Sequence, residues 1–175
     1  MPLLAVAYPR LTSKNSEWLE AYRAEHDEQF GKFVKAHFTL VFSVEGMEVQ
    51  IFTQHVHKKV AKGKPVPFRL ESVRLAKDAF SNYWQVYLVP SVGYLQLKGL
   101  HDALYTGILA SHLRKDIPYV PHITVGSSRS KETCEQLAAK LEASSVKIDG
   151  IINAVTVVTF HEDIVRNAAK VSLRG

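Results

Sequence analysis

The sequence predicts an α+β protein made by internal duplication. Two antiparallel sheets flank a central cleft about a pseudo-twofold axis, with helices outside. Three observations carry this expectation. The pattern His-x-Thr-aliphatic occurs twice, as His37-Phe38-Thr39-Leu40 and His122-Ile123-Thr124-Val125. The copies lie 122 − 37 = 85 residues apart, close to half of the 175-residue chain. A succession of strand, helix, motif strand and helix can be read on each side of the midpoint. With eight His and eight Thr in the chain, random placement yields about 0.1 such matches, so two copies at this spacing mark a repeat.

The elements follow in order from periodicity and punctuation. Leu3 to Tyr8 reads as a strand stopped by Pro9. A helix opened near Ser13 or Ser16 follows, expected to turn Trp18, Tyr22 and Phe30 inward, and Gly31 closes it. Phe33 to Phe42, rich in aromatic and aliphatic residues, is the first motif strand. Val49, Phe52, Val56 and Val60 recur at helical spacing, and Gly63 and Pro65 end that helix. Phe68 to Leu75 and Tyr83 to Val89 are expected to pair antiparallel across the loop from Lys77 to Asn82. After Gly93, Leu97, Leu100, Leu104 and Ile108 mark a third helix. Pro118 and Pro121 flank the start of the second motif strand, Tyr119 to Val125. Ser130 caps a fourth helix carrying Cys134, Leu137 and Leu141. Ile148 to Phe160 and Lys170 to Leu173 close the fold as strands. No low-complexity linker separates the halves. The expectation is one domain, 1–175, with lobes of roughly 1–80 and 81–175 sharing a cleft and free to exchange their termini.

Composition narrows the class. Hydrophobic residues at 46% and charged residues at 22% are ordinary globular values. The net charge of +5 suits a polyanionic ligand such as RNA or a nucleotide, although many cytosolic proteins are as basic. No block of consecutive basic residues is present, so a tail that coats nucleic acid is not expected. A single cysteine, Cys134, leaves no internal disulfide and fits a reducing, cytoplasmic compartment. The apolar start, Leu3 to Ala7, is too short for a signal peptide, and no segment is long enough to span a membrane. Nothing in the chain signals a protein partner.

Within each motif, residues two apart share a strand face. His37 and Thr39 therefore point one way while Phe38, Leu40 and Phe42 point into a core. His122 and Thr124 pair likewise against Ile123 and Val125. One imidazole serves as base or acid; two on opposite sides of a substrate serve as both at once. Transfer at phosphorus wants attacking and leaving oxygens roughly in line, a geometry that two opposed histidines satisfy without a metal or cofactor. The Thr39 and Thr124 hydroxyls are placed to hydrogen-bond non-bridging phosphate oxygens. His55 and His57 invite a metal reading, but i and i+2 diverge on a helix and no carboxylate or cysteine cluster joins them; both are expected to be solvated. Tyr8, Tyr83 and Tyr119 lie where an aromatic ring could stack on a base, and Lys35 shares the His37 face; core packing and solvation are the alternative uses of these side chains.

On these motifs the chain resembles the 2H phosphoesterase superfamily, which includes the 2′-5′ RNA ligase-like proteins and cyclic phosphodiesterases. Pro121 before the second motif fits that resemblance; Ala36 stands at the matching place in the first. The resemblance implies a bilobal α+β fold with His37 and His122 as the catalytic pair and Thr39 and Thr124 as phosphate-binding hydroxyls. It further implies metal-independent hydrolysis of 2′,3′-cyclic phosphates or 2′-5′ linkages at nucleotide or RNA ends. A ligase running the same step in reverse, and a nucleotide- or RNA-binding module without turnover, are the alternatives.

Overall fold

The computed structural model describes all 175 residues, and its architecture follows from a few register decisions. The strands are β1 (Leu3–Ala7), β2 (Phe38–Val44), β3 (Val66–Lys77), β4 (Trp84–Val92), β5 (Ile123–Ser128), β6 (Ile148–Ile152), β7 (Ala154–His161) and β8 (Ile164–Ser172). The helices are α1 (Ser13–His26), α2 (Val49–Val60), α3 (Tyr94–Leu104) and α4 (Lys131–Ala143), with a 3-10 turn over Gly107–His112. Two four-stranded antiparallel sheets result, in the orders β2-β1-β7-β8 and β5-β4-β3-β6. Each sheet thus begins with a motif strand on its edge and the opening strand of the same repeat beside it.

Sheet membership does not follow the chain halves. After α2 the chain crosses over, so β3 pairs with β4; β7 and β8 return to pair with β1 and with each other. A cut at residue 80 would therefore separate strands hydrogen-bonded in one sheet. The core is continuous as well: Leu40 and Val41 of the first sheet belong to the same apolar cluster as Val86 and Leu88 of the second.

The helices form where caps and apolar spacing coincide. Thr12 Oγ1 accepts from Asn15 N to open α1, and Ser130 Oγ accepts from Thr133 N to open α4. Gly93, at φ 84°, starts α3, and a Cβ there would come within 2.5 Å of the Pro67 carbonyl. α2 covers β1, β7 and β8 of the first sheet, and α4 covers β3, β4 and β5 of the second. The other two helices cross over: α1 packs on β5 and α3 on β2. Each motif strand is thereby covered along its open edge by a helix from the opposite repeat.

Several local expectations change in the folded chain. Leu19 and Arg23, not Trp18 and Tyr22, form the buried face of α1; Trp18 is exposed and stacks on Tyr22 at 5.0 Å. The shift arises because α1 meets a polar strand edge, where the several N–H donors of a guanidinium reach three acceptors and the single N–H of an indole could reach only one. His55 is buried and hydrogen-bonded to the Leu104 carbonyl at 2.8 Å, whereas His57 is solvated. The third helix stops at Leu104, so Ile108 falls in the 3-10 turn and is exposed. The stretch Ile148 to Phe160 breaks at Asn153 into β6 and β7, which belong to different sheets.

Candidate active site

The two motifs fold into the same local device. In each, the strand begins one residue after the histidine, at Phe38 and at Ile123. In each, the imidazole Nδ1 lies against the carbonyl two residues earlier: 2.7 Å from Lys35 O for His37, and 2.6 Å from Val120 O for His122. A carbonyl oxygen can only accept, so both Nδ1 atoms carry hydrogen and both neutral rings leave Nε2 bare. No protein group holds either Nε2, nor the hydroxyl of Thr39 or Thr124.

The aliphatic residue of each motif is a β-bulge. Val6 pairs with Thr39 and Ala5 with Val41, so Leu40 is the extra residue. Tyr87 pairs with Thr124 and Val86 with Gly126, so Val125 is the extra residue on the other side. Both are fully buried. A bulge bends the strand and changes which face the following residues present. This explains why Phe42, expected in the core with Phe38 and Leu40, instead meets Phe80 and Tyr119, at 5.8 and 6.5 Å between ring centroids.

Electrostatics treats the two rings alike. Burial in the cleft lowers both His37 and His122 from 6.5 to about 4, against the stabilising effect of each Nδ1 hydrogen bond. Arg23 lowers His37 further and Asp27 opposes it; a charge on His37 lowers His122. The last effect places the two rings within electrostatic reach of each other despite 85 residues of separation. At neutral pH in the absence of an anion, both imidazoles are uncharged.

A buried ion network ties the motifs together. Arg23, 1% exposed, donates from Nε to Thr124 O at 3.0 Å, from Nη1 to Val34 O at 2.8 Å and from Nη2 to Asp27 Oδ2 at 3.2 Å. Glu20, 3.5 Å from the same guanidinium, accepts from Ala36 N at 2.8 Å. Asp27 accepts from Ser127 Oγ at 2.6 Å. The guanidinium thus bridges the segment leading into His37 and the strand following His122. Opposite it, Tyr119 OH donates to Thr39 O at 2.9 Å and His101 Nδ1 to Leu40 O at 2.8 Å. Both motif strands therefore have their outward carbonyls satisfied by side chains from the other repeat.

The remaining sequence candidates separate by position. Tyr8 lies across from His37, edge-on at 6.2 Å, beside a groove of about 520 Å³ lined by Phe33, Lys35, Glu20 and Asn167. Lys35 is exposed on that groove. Tyr119 lies between the motifs, but its ring stacks flat on His101 at 3.6 Å and its hydroxyl is committed to Thr39 O. Tyr83 lies just before β4, under Arg129 at 5.4 Å. Tyr87, within β4, is the residue stacked on His122, at 3.6 Å and 19°. Its alternation with Tyr83 was visible in sequence; which of the two sits opposite Thr124 was decided by register. Arg23 is the residue that sequence reading does not single out. The flanking Glu20 and Asp27, at i−3 and i+4, were a signal that this arginine is paired. Cys134 is buried with its thiol pKa raised by that burial, and no three His, Cys, Asp or Glu side chains converge as metal ligands.

Two antiparallel sheets with a His-x-Thr strand on the edge of each define a duplicated, two-histidine α+β protein of the 2H phosphoesterase type. The chain belongs to the 2′-5′ RNA ligase superfamily, whose family model matches residues 11–164. No curated protein matches it by sequence. Solved structures share the fold over nearly the whole chain. Escherichia coli LigT complexed with 3′-AMP superposes with a TM-score of 0.64 at 16% identity, covering 100% of both chains. TT0787 of Thermus thermophilus gives 0.63 at 18% identity, covering 100% of this chain and 99% of its own. Kluyveromyces marxianus Usb1 gives 0.57 at 9% identity, covering 98% of both.

Proposed function

We propose that this protein is a metal-independent phosphoesterase that opens 2′,3′-cyclic phosphates or cleaves 2′-5′ phosphodiesters at nucleotide or RNA ends. The observation that carries the reading is the identical presentation of His37 and His122, each fixed through Nδ1 with its Nε2 unengaged. Membership of the superfamily supports a phosphoesterase- or ligase-type activity. Structures of LigT with 3′-AMP and of Usb1 with uridine monophosphate support a nucleotide as the ligand.

The chemistry follows from two imidazoles in opposite protonation states. One bare Nε2 takes a proton from water as its oxygen attacks phosphorus. The other imidazole, protonated, gives its proton to the ribose oxygen as the phosphorus–oxygen bond breaks, leaving a phosphomonoester and a free hydroxyl. Both rings are neutral in the free protein, so one of them takes up a proton from solvent as the substrate binds, because the negative charge of the phosphate favours an imidazolium beside it. Thr39 and Thr124 donate to the non-bridging oxygens, where charge accumulates. Ligation would use the same groups, with a ribose 5′-hydroxyl in place of water attacking the cyclic phosphate as the ring phosphorus–oxygen bond breaks.

His37→Ala and His122→Ala should each lower kcat on a 2′,3′-cyclic nucleotide by at least about a hundredfold. The unaltered protein should remain active in excess chelator. Full activity in either variant would overturn the mechanism. Protection against thermal unfolding by nucleotides, with no product from any cyclic or 2′-5′ substrate, would identify a binding module instead.

A further inference from the structure

The loop between β3 and β4 holds an aromatic ring in the open, and its anchoring is unusually complete for a hairpin tip. Phe80 is 58% exposed. Its N–H donates to Asp78 Oδ1 at 3.3 Å, and Asp78 N donates across the loop to Tyr83 O at 2.9 Å. Asp78 Oδ2 accepts from Ser81 Oγ, and Gln29 Nε2 reaches Ser81 Oγ at 3.2 Å. Gln85 Nε2 donates to Gln29 Oε1 at 2.9 Å, and Tyr87 OH donates to Gln85 Oε1 at 2.8 Å. Tyr87 is the ring stacked on His122. A continuous set of hydrogen bonds therefore fixes the Phe80 loop relative to a motif histidine.

On its other side Phe80 reaches the first sheet. Its ring lies 5.8 Å from Phe42, three residues past Thr39 on β2. The Arg114 guanidinium stands 5.6 Å from the Phe80 centroid. Arg114 is itself oriented by a fork onto Asp116, at 2.9 and 2.6 Å, and remains half exposed. Because Asp116 occupies the fork, Arg114 offers the flat face of its guanidinium more than its charge. A planar cation beside a fixed, exposed aromatic ring is the surface on which nucleobases stack without regard to sequence.

Its position relative to the motifs gives the site its meaning. Tyr8 lies level with His37 at one end of β2, because Ala7 pairs with Phe38, and the groove beside it opens there. Phe42, Phe80 and Arg114 lie past Thr39 toward the other end. An RNA strand ending in a cyclic phosphate carries a further nucleoside 5′ to the one that bears the reacting phosphate, whereas a cyclic mononucleotide has only the one. Resting on the reading given under Proposed function, we infer that Phe80 and Arg114 form a stacking site for the base of the nucleotide 5′ to the one that bears the reacting phosphate, so that the preferred substrate is an RNA strand end.

The test compares a 2′,3′-cyclic mononucleotide with a tetranucleotide ending in the same cyclic phosphate. Phe80→Ala should lower kcat/KM on the tetranucleotide about tenfold and leave the mononucleotide unchanged; Phe80→Trp should retain the preference. Arg114→Ala should lower the tetranucleotide value in the same sense. Equal losses on both substrates, or no loss on the tetranucleotide, would overturn the inference. Should the unaltered protein turn over neither substrate, the catalytic reading fails by itself, and fluorescence anisotropy with a labelled tetranucleotide decides the stacking site. Binding about tenfold weaker to Phe80→Ala supports it, and equal binding overturns it.

Discussion

Acid should destabilise this protein through its two motif histidines more than through any other pair of groups in the fold. The pH change that matters is a fall through the interval between the unfolded and folded imidazole pKa values, 6.5 and about 4. Within that interval the unfolded chain binds a proton at each ring and the folded chain does not, so stability drops as pH drops. Above 6.5 both states hold neutral rings and the effect vanishes; below about 4 it has run its course. The difference of 6.5 − 4 = 2.5 units, at about 1.4 kcal/mol per unit, corresponds to about 3 kcal/mol for each ring. Both rings are partly open to the cleft, so solvent screening takes some of that away. Against a total of about 5–15 kcal/mol for a domain, the remainder is still a large share. Urea unfolding followed by fluorescence of Trp18 and Trp84 near pH 7 and near pH 4.5 measures it. The control is the double variant His37→Asn/His122→Asn, in which the other titrating groups are kept and cancel. The unaltered protein should lose at least about 3 kcal/mol more than the variant over that range. Parallel pH dependences in the two proteins would refute the argument that burial in the cleft sets these pKa values.

Two further outcomes follow from the site. Arg23→Met removes a buried cation and leaves the buried Asp27 carboxylate without its partner, which should cost about 3–5 kcal/mol in denaturant unfolding; adding Asp27→Leu should recover part of that loss. Thr39→Val and Thr124→Val keep strand shape but remove a hydroxyl from the cleft. Each should weaken inorganic phosphate binding severalfold by calorimetry while changing the unfolding midpoint little, and unchanged phosphate affinity in both would remove these hydroxyls from the anion site.

Much of the fold was legible because it is written in short-range patterns. The spacing of Val49, Phe52, Val56 and Val60 located α2, and Ser130 marked the cap of α4 where it occurs. Pairing of β3 with β4 followed from two apolar runs joined by a short loop. What failed did so for long-range reasons. Trp18 looks like a core residue of α1 until the helix is seen to lie along the polar edge of β5, where Arg23 is the residue that can be satisfied. His55 looks solvated until the Leu104 carbonyl, 49 residues away, is brought against it. Phe42 looks buried by strict alternation until the bulge at Leu40 turns it toward Phe80.

Local pattern was enough to establish that there are two equivalent motifs, which residues they contain and that each sits in extended structure. Composition and periodicity suffice for that, because a side chain's neighbours two or four positions away are fixed by local geometry. Long-range folding settled the rest: β3 and β7 each join the sheet of the opposite repeat, Tyr87 rather than Tyr83 faces His122, and Arg23 joins the backbone before His37 to that of Thr124. Those outcomes depend on sheet register and on burial of one repeat's charged and polar side chains against the other's backbone. Such contacts exist only after the chain has closed on itself.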